Sequence, residues 1–385
     1  MKILLTNMYG ELGGGELSLL AHARSLITQG HQVHLYLQGD GSVVKRLRAE
    51  GVEVLVLPFR WQGSKIRSVL EILRHVHTIA RLIRLSRIDV VMAYTLNDLV
   101  FAGIAARITR KPLFYRSQAD VVGGWPAPQC SWLGSHILRV LRVLKAHVVT
   151  TTRYELESYR RLGYPEGQLC WIPLGVEQDR FTGSVYETSV TQMRKTFDRG
   201  YPIVGIFARL VGWKGHRRAI EALAELKKVG IICDLLIVGD HVFGGGASYK
   251  AELEALGRSS GISTQLRFLG HRDDVNVLMG VCDLVVHASD FEPFGLVLVE
   301  AMSAGRSVVA MDLPGPRESV LDGQSGILVP VGEVQALASA MRVLIEDPML
   351  RARMGKLGRE RVVQLFDEAE NLRRLNERML SCGKC

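Results

Sequence analysis

Leu284-Val-Val-His287-Ala-Ser289-Asp-Phe-Glu292-Pro-Phe294-Gly295-Leu296-Val-Leu-Val-Glu300-Ala-Met302 reads as one strand, one turn and the start of one helix. The apolar run Leu284 to His287 suits a strand buried on both faces, as in a parallel sheet. Pro293 and Gly295 suit a turn that opens a helix. The free N–H groups of such a helix, with the positive end of its dipole, make a site for a diphosphate. Glu300 falls about one turn or more inside the helix at roughly 1.5 Å rise per residue, where it can accept hydrogen bonds from a ribose. Glu292 precedes the helix and faces the sugar, so the stretch suits a nucleotide sugar.

The same strand–helix alternation runs outward in both directions. Toward the N-terminus, strands are expected at Ile3 to Thr6, Val33 to Leu37, Val52 to Leu57, Val90 to Ala93, Leu113 to Tyr115 and Val148 to Thr150, with amphipathic stretches between most of them. That rhythm ends near Trp171-Ile-Pro-Leu-Gly175 and restarts at Ile203 to Phe207, Ile232 to Val238, Leu266 to Leu269, Leu284 to His287 and Ser307 to Ala310. The fold class expected is α/β, with two Rossmann-like doubly wound domains facing each other across a cleft. The domains fall at 1–176 and 201–348, joined by a polar, irregular connection at 177–200. Beyond Val329 the pattern is helical, breaking near Pro348 and Asp367, and 349–385 forms the closing helices. A chain of 385 residues exceeds what one core usually organises, which fits two domains.

No segment is long and apolar enough to span a bilayer, and the N-terminal run is too short for a signal peptide, so the expected location is the cytoplasm. The net charge of +9 is lopsided: 22 basic against 12 acidic side chains precede Gly175, and 26 against 27 follow. Between Arg60 and Arg87, seven basic residues and only Glu71 accompany Ile66, Val69, Leu70, Leu73, Val76, Ile79, Ala80 and Ile83, which repeat at helical spacing. This basic amphipathic helix over 60–87 suits either an anionic membrane surface or the solvated outer face of a helix packed on a sheet. Arg139, Arg142 and Lys145 add a second basic helix. No nucleic-acid recognition module accompanies the charge. Cys382 and Cys385 have the spacing of a zinc or redox pair, but neither a second ligand pair nor a following helix completes either motif. Cys130, Cys170, Cys233 and Cys282 read as scattered thiols.

Two loops carry further chemistry. Gly13-Gly14-Gly15 joins the first strand to a helix and permits close backbone approach, although the dinucleotide spacing is absent because position 18 is Ser18. In the second half, Phe207-Ala-Arg209-Leu-Val-Gly-Trp-Lys214-Gly-His216 places two cations after a strand, where they can neutralise a leaving diphosphate. His216 reads as structural.

Taken together, Gly13-Gly14-x-Glu16, Gly30-His31-x-Val33, Ile172-Pro-x-Gly175-Val, Arg209 with Lys214-Gly215, Val238-Gly239-Asp240, Phe268-x-Gly270, Glu292 to Glu300 and Asp322-Gly323-x-x-Gly326 resemble the retaining nucleotide-sugar glycosyltransferases with two Rossmann-like domains, the GT-B fold of the group 1, or family 4, type. The resemblance runs nearly end to end. It implies that Arg209, Lys214 and Glu292 are catalytic. It further implies that the donor is held by Gly13, Gly14, Arg209, Lys214, Glu292, Phe294, Gly295, Leu296 and Glu300. No metal or other cofactor is implied, the donor being a UDP- or GDP-sugar. The implied acceptor is lipid-linked or saccharide; from its charge, the basic helix over 60–87 is expected to meet the inner face of the cell membrane, and no nucleic-acid partner is expected. The helices from about Leu350 resemble the family's C-terminal segment, which crosses back to the first domain.

Departures fall on the acceptor side. The usual histidine after the fifth strand is replaced by Ser117, Gln118 and Asp120, and a His-x-His by Ala93-Tyr94-Thr95-Leu96-Asn97; these make Tyr94, Asn97, Ser117, Gln118 and Asp120 the acceptor-side candidates. Ala208 stands where a glycine is common. Two alternatives share the fold: a nucleotide-sugar epimerase, and a degenerate subunit that binds a nucleotide sugar and regulates a partner. A dehydrogenase lacks its fingerprint here.

Overall fold

The computed structural model describes residues 1–8, 14–59, 65–118, 131–240 and 246–382. Met1–Leu174 with Ala369–Cys385 form one compact unit, and Gly175–Glu368 a second.

In the first unit, β1 (Lys2–Asn7), β2 (Gln32–Leu37), β3 (Glu53–Val56), β4 (Val90–Ala93), β5 (Leu113–Ser117), β6 (His147–Thr150) and β7 (Leu169–Trp171) form a parallel sheet in the order β3-β2-β1-β4-β5-β6-β7. Its helices are α1 (Gly14–Thr28), α2 (Ser42–Ala49), α3 (Lys65–Leu85), α4 (Leu96–Ile108), α5 (Ser131–Leu144) and α6 (Arg153–Arg161). The strand order reverses between β1 and β4, which leaves a crevice at the carboxyl ends of those strands. Side-chain alternation splits the core in two. Ile3, Leu5, Met92, Phe114 and Val149 face Leu19 and Leu20 of α1 and Val43 and Leu47 of α2, whereas Leu4, Val91, Tyr115 and Val148 face Ile79 of α3, Ala102 of α4 and Leu141 of α5.

In the second unit, β8 (Ile203–Phe207), β9 (Asp234–Val238), β10 (Leu266–Gly270), β11 (Leu284–His287), β12 (Ser307–Met311) and β13 (Gly326–Val329) form a second parallel sheet, ordered β10-β9-β8-β11-β12-β13. Around it lie α7 (Ser184–Phe197), α8 (His216–Lys228), α9 (Gly246–Ser259), α10 (Val275–Val281), α11 (Leu296–Ser303), α12 (Pro314–Ser319), α13 (Val334–Glu346) and α14 (Pro348–Leu365). The doubly wound α/β class holds for both units.

Three local expectations are corrected. The stretch 177–200 is not irregular: it contains a 3-10 turn at Gln178–Phe181 and all of α7. Helix α7 docks on α10, where a Cβ on Gly280 would lie 2.5 Å from Tyr186 Oη, and Arg194 pairs with Asp283 at 2.9 Å. Of the closing helices, α14 stays with the second unit, its Gly358 against Met302 of α11, and only α15 (Glu368–Cys382) packs in the first, through Leu375 and Met379. The short strands β7 and β13 extend each sheet beyond the expected set. Cys233 and Cys282 are buried and Cys170 is partly so, while Cys130 and Cys385 lie outside the described residues.

The chain enters the second unit at Gly175 and leaves it at Glu368. There Val176 N–H donates to the Phe366 carbonyl at 2.9 Å and Glu368 N–H to the Val176 carbonyl at 3.2 Å. A Cβ on Gly175 would lie 2.5 Å from Glu368 Cα, so only glycine allows the two passages to touch.

Candidate functional site

The second unit gathers its chemistry where β8 and β11 end. After β8 the chain passes Arg209, makes a 3-10 turn at Gly212–Lys214, and enters α8 through Gly215. Gly215 has φ +76°, and a Cβ there would lie 1.9 Å from the Ala288 carbonyl oxygen. The lysine turn is thus pressed directly on the loop that follows β11. Asp290 N–H donates to the Trp213 carbonyl at 2.8 Å, Trp213 meets Phe291 edge-on at 5.9 Å, and Arg218 donates to the Ala288 carbonyl at 2.7 Å while pairing with Asp290.

This scaffold brings Lys214 and Glu292 into contact. Lys214 Nζ lies 2.6 Å from Glu292 Oε2 and 4.4 Å from the centroid of the Trp213 ring. His287, the last residue of β11, sits 2.9 Å from the same carboxylate oxygen, and Ser289 Oγ is 3.2 Å from the imidazole. Glu292 Oε1 accepts from Gly295 N–H at 3.2 Å. Burial alone raises the pKa of Glu292, but the hydrogen bond and charge of His287, followed by those of Lys214, outweigh it, and the carboxyl titrates at about 2. Glu292 is therefore an anion at any working pH. The Gly295 amide, expected to be open to a ligand, is already engaged by Glu292.

Gly295 has φ +86° and turns the chain into α11. The side chain of Phe294 is buried and packs edge-on against Phe366 at 5.8 Å, so only its backbone can face a ligand. Leu296 begins α11. Glu300 lies one turn inside it, half-buried, with no hydrogen-bond partner for its carboxylate among the described residues. Burial lifts its pKa to about 7, with Arg180 opposing and Glu368 adding to the rise. Its electrostatic neighbours are these two residues rather than Glu292. Arg209 is exposed, with no side-chain partner among the described residues. His216 is buried, and loss of hydration drops its pKa to about 4, which keeps it neutral.

In the first unit the candidates are scattered. Tyr94 is buried, its Oη 2.5 Å from His22 Nδ1, and the opposite ring nitrogen of His22 lies 2.8 Å from Asn376 Oδ1 of α15. Ser117 is buried against Tyr159 Oη at 3.3 Å. Neither side chain is presented to solvent. Asn97 is exposed and reaches Met8 Sδ at 3.2 Å; Gln118 is partly buried beside Gly15. Gly14 is the first residue of α1, while Gly13 and Asp120 lie outside the described residues.

His287, Ser289, Asp290 and Arg218 escaped the sequence reading, as did Asp98. The Asp98 carboxyl is buried and pushed up to about 7, against hydrogen bonds from Thr95 and from Gln38 at 2.7 Å. The one available signal for His287 was its place as the final residue of a buried strand, since the carboxyl ends of such strands are where doubly wound sheets bind ligands.

The arrangement joins a fixed carboxylate, a lysine with donors to spare and an exposed arginine at the carboxyl end of a doubly wound sheet. Residues 13–175 match the family of glycosyl transferase 4-like domains, and residues 191–361 match glycosyl transferases group 1. The structure is similar to that of HepE from Anabaena, solved in complex with UDP and glucose, with 28% identity and a TM-score of 0.82, covering 99% of this chain and 100% of that one. In sequence the chain is 30% identical over 186 residues to LpsE of Rhizobium meliloti (strain 1021), a lipopolysaccharide core biosynthesis glycosyltransferase, covering 48% of this chain and 52% of that protein. It is also 30% identical over 234 residues to the alpha-D-kanosaminyltransferase of Streptomyces kanamyceticus, covering 60% and 58%. The chain spans a little over half the length of these curated relatives. Matched by glycosyltransferase families in both of its halves, and alike in fold from end to end, this chain belongs to the group 1 glycosyltransferases of the GT-B fold.

Proposed function

We propose that this protein is a retaining, metal-independent hexosyltransferase that moves a sugar from a nucleotide diphosphate sugar to a lipid-linked or saccharide acceptor in the synthesis of a cell-envelope polysaccharide, lipopolysaccharide or glycolipid. The observation that carries the reading is the Lys214–Glu292 contact, with His287 behind it, at the start of α11. Lysine has three N–H donors, so Lys214 can keep Glu292 and still bind a phosphate oxygen. Arg209, on the same loop, supplies a second cation, and the two do the neutralising work that a divalent cation does elsewhere. Glu300 accepts from the ribose. A UDP-sugar is favoured because HepE, similar over its whole length, was solved with UDP and glucose.

In the reaction, the bond from the anomeric carbon to the diphosphate oxygen breaks with its electron pair going to the phosphate. The acceptor hydroxyl oxygen bonds the anomeric carbon on the same face, and its proton passes to the departing phosphate oxygen. The protein contributes chiefly by stabilising the leaving group. Purified protein is expected to bind UDP-glucose or GDP-mannose and, with a saccharide or lipid-linked acceptor, to give an α-glycoside by NMR. A β-glycoside sinks retention, and failure to bind either nucleotide sugar sinks the whole reading. A C2- or C4-epimerised donor formed without any acceptor assigns the protein to the epimerases.

Membrane contact through α3 is part of this proposal. Val76, Ile79, Ala80 and Ile83 are buried as expected, but Val69, Leu70 and Leu73 are 54%, 60% and 57% exposed, on a helix that also exposes Arg81 and Arg84. Apolar and basic side chains together suit an anionic interface. Ile66 and the residues before it lie outside the described side chains. No helix among the described residues is long and apolar enough to cross a membrane. Binding to vesicles containing anionic lipid is expected to fall at least fivefold between about 0.05 and 0.5 M salt and on neutralising Arg74, Arg81 and Arg84 together, at roughly 1 kcal/mol per cation. Equal binding to neutral vesicles removes this part of the proposal.

A further inference from the structure

Arg116 is the penultimate residue of β5 and is only 3% exposed. Phe114, two residues earlier, packs with Leu19 and Leu20 of α1, and strand alternation turns Arg116 and Gln118 to that same face. Its Nη2 donates to the Pro173 carbonyl at 3.3 Å, whereas Nε and Nη1 are buried with no hydrogen-bond partner. Among the described residues it makes no ion pair. Glu155 is the carboxylate whose charge reaches it, and one oxygen of that group accepts from Thr151 N–H at 3.2 Å. A guanidinium removed from water with two of its nitrogens unsatisfied is costly, and such a group calls for a partner.

Other unsatisfied donors sit beside it. The register pairs Arg116 with Val149 and Ser117 with Thr150, which carries Gln118 alongside Thr151. Both Gln118 Nε2 and Thr151 Oγ1 are buried and unpartnered. A Cβ on Gly15, the second residue of α1, would stand 2.8 Å from Gln118 Oε1, so the start of that helix, which also carries Glu16, packs against the glutamine.

We propose that Arg116, Gln118 and Thr151 form an oxyanion site in the first unit that takes a phosphate group. Guanidinium, amide and hydroxyl donors from three residues suit a phosphate, with its several oxygens, better than a planar carboxylate, which a single guanidinium edge satisfies. Which molecule brings the phosphate rests on the proposed glycosyl transfer: the first unit is the acceptor side, so the phosphate belongs to the acceptor, as a sugar phosphate or a lipid phosphate.

The full chain is titrated by calorimetry with inorganic phosphate, glucose 6-phosphate and dodecyl phosphate, and separately with UDP. Arg116→Gln is expected to weaken phosphate binding by roughly 10- to 100-fold, the effect of losing a charged hydrogen-bond donor, and to leave UDP binding within twofold. Unchanged phosphate binding in Arg116→Gln, or no binding of any of the three probes by the native chain, overturns the site. An equal loss of UDP binding moves Arg116 to the donor and overturns the acceptor assignment. Tightest binding of glucose 6-phosphate supports a sugar phosphate and tightest binding of dodecyl phosphate a lipid one, whereas a preference for inorganic phosphate overturns an acceptor-borne source. If Arg116→Gln does not fold, the Gln118→Leu/Thr151→Val double variant serves instead: about tenfold weaker binding supports the site, and native affinity overturns it. Failure of UDP to bind while phosphate does removes the transferase reading and leaves the site standing.

Discussion

Lys214→Ala is expected to lower turnover at saturating donor by about 10²- to 10³-fold, the usual cost of removing one preorganised donor from a developing anion. Two losses combine in it. The leaving diphosphate loses a cation, and Glu292 loses its 2.6 Å partner, leaving His287 and the Gly295 amide to hold a buried carboxylate. Lys214→Arg keeps the charge but spreads it over a planar fork, so it restores only part of the rate. Arg209→Ala provides the contrast. That side chain is exposed and has no partner to lose among the described residues, so its turnover falls while its melting temperature stays put. Steady-state kinetics on a UDP-sugar, with melting curves alongside, check both variants. Turnover of Lys214→Ala within threefold of the native rate rules out the leaving-group role.

Gly215→Ala is expected to destabilise the second unit by about 3 kcal/mol or more. A non-glycine residue in the left-handed region costs roughly 1–2 kcal/mol, and displacing neighbouring backbone adds to it. Here the added Cβ would stand 1.9 Å from the Ala288 carbonyl oxygen and 2.4 Å from its carbon, atoms of backbone that cannot turn away. For a unit of this size the melting temperature should drop by roughly 6–12 °C. Gly212 is the internal control: it sits in the same turn, and a Cβ there meets nothing within 4 Å. Thermal unfolding of Gly215→Ala and Gly212→Ala side by side decides the matter, since equal melting temperatures would mean that the lysine turn is not clamped on the β11 loop.

The alternation of buried strands with amphipathic helices placed both sheets to within a few residues, because parallel strands covered on both faces must be apolar throughout. Glu292 before α11 and Glu300 inside it were legible for a related reason: Pro293 and Gly295 mark a helix start by backbone geometry alone. Helix α7 was hidden. Its inward residues, Tyr186, Val190, Arg194 and Phe197, are only partly buried, so polar side chains mask the periodicity that docking on α10 satisfies. The short strands β7 and β13 offered runs too brief to separate from loop. On α3, spacing alone made one continuous apolar stripe, whereas packing covers its C-terminal half and leaves Val69, Leu70 and Leu73 bare.

The acceptor-side residues show the limit most plainly. Tyr94 and Ser117 have the chemistry to meet a ligand, yet one is enclosed with His22 and Asn376 and the other with Tyr159. Arg116, next to Ser117 in the chain and not singled out by any motif, is buried with two of its donors unsatisfied.

Sequence by itself determined the alternating architecture, the family and the two strand-to-helix segments that carry Arg209, Lys214, Glu292 and Glu300, because apolar period, glycine and proline act over neighbouring residues. Tertiary structure alone decided that Lys214 and Glu292 touch, that His287 holds the same oxygen, and that α15, distant in sequence, seats Asn376 against His22. Those contacts depend on where separate strands end after the sheet has assembled, and no local pattern encodes a distance between residues so far apart along the chain.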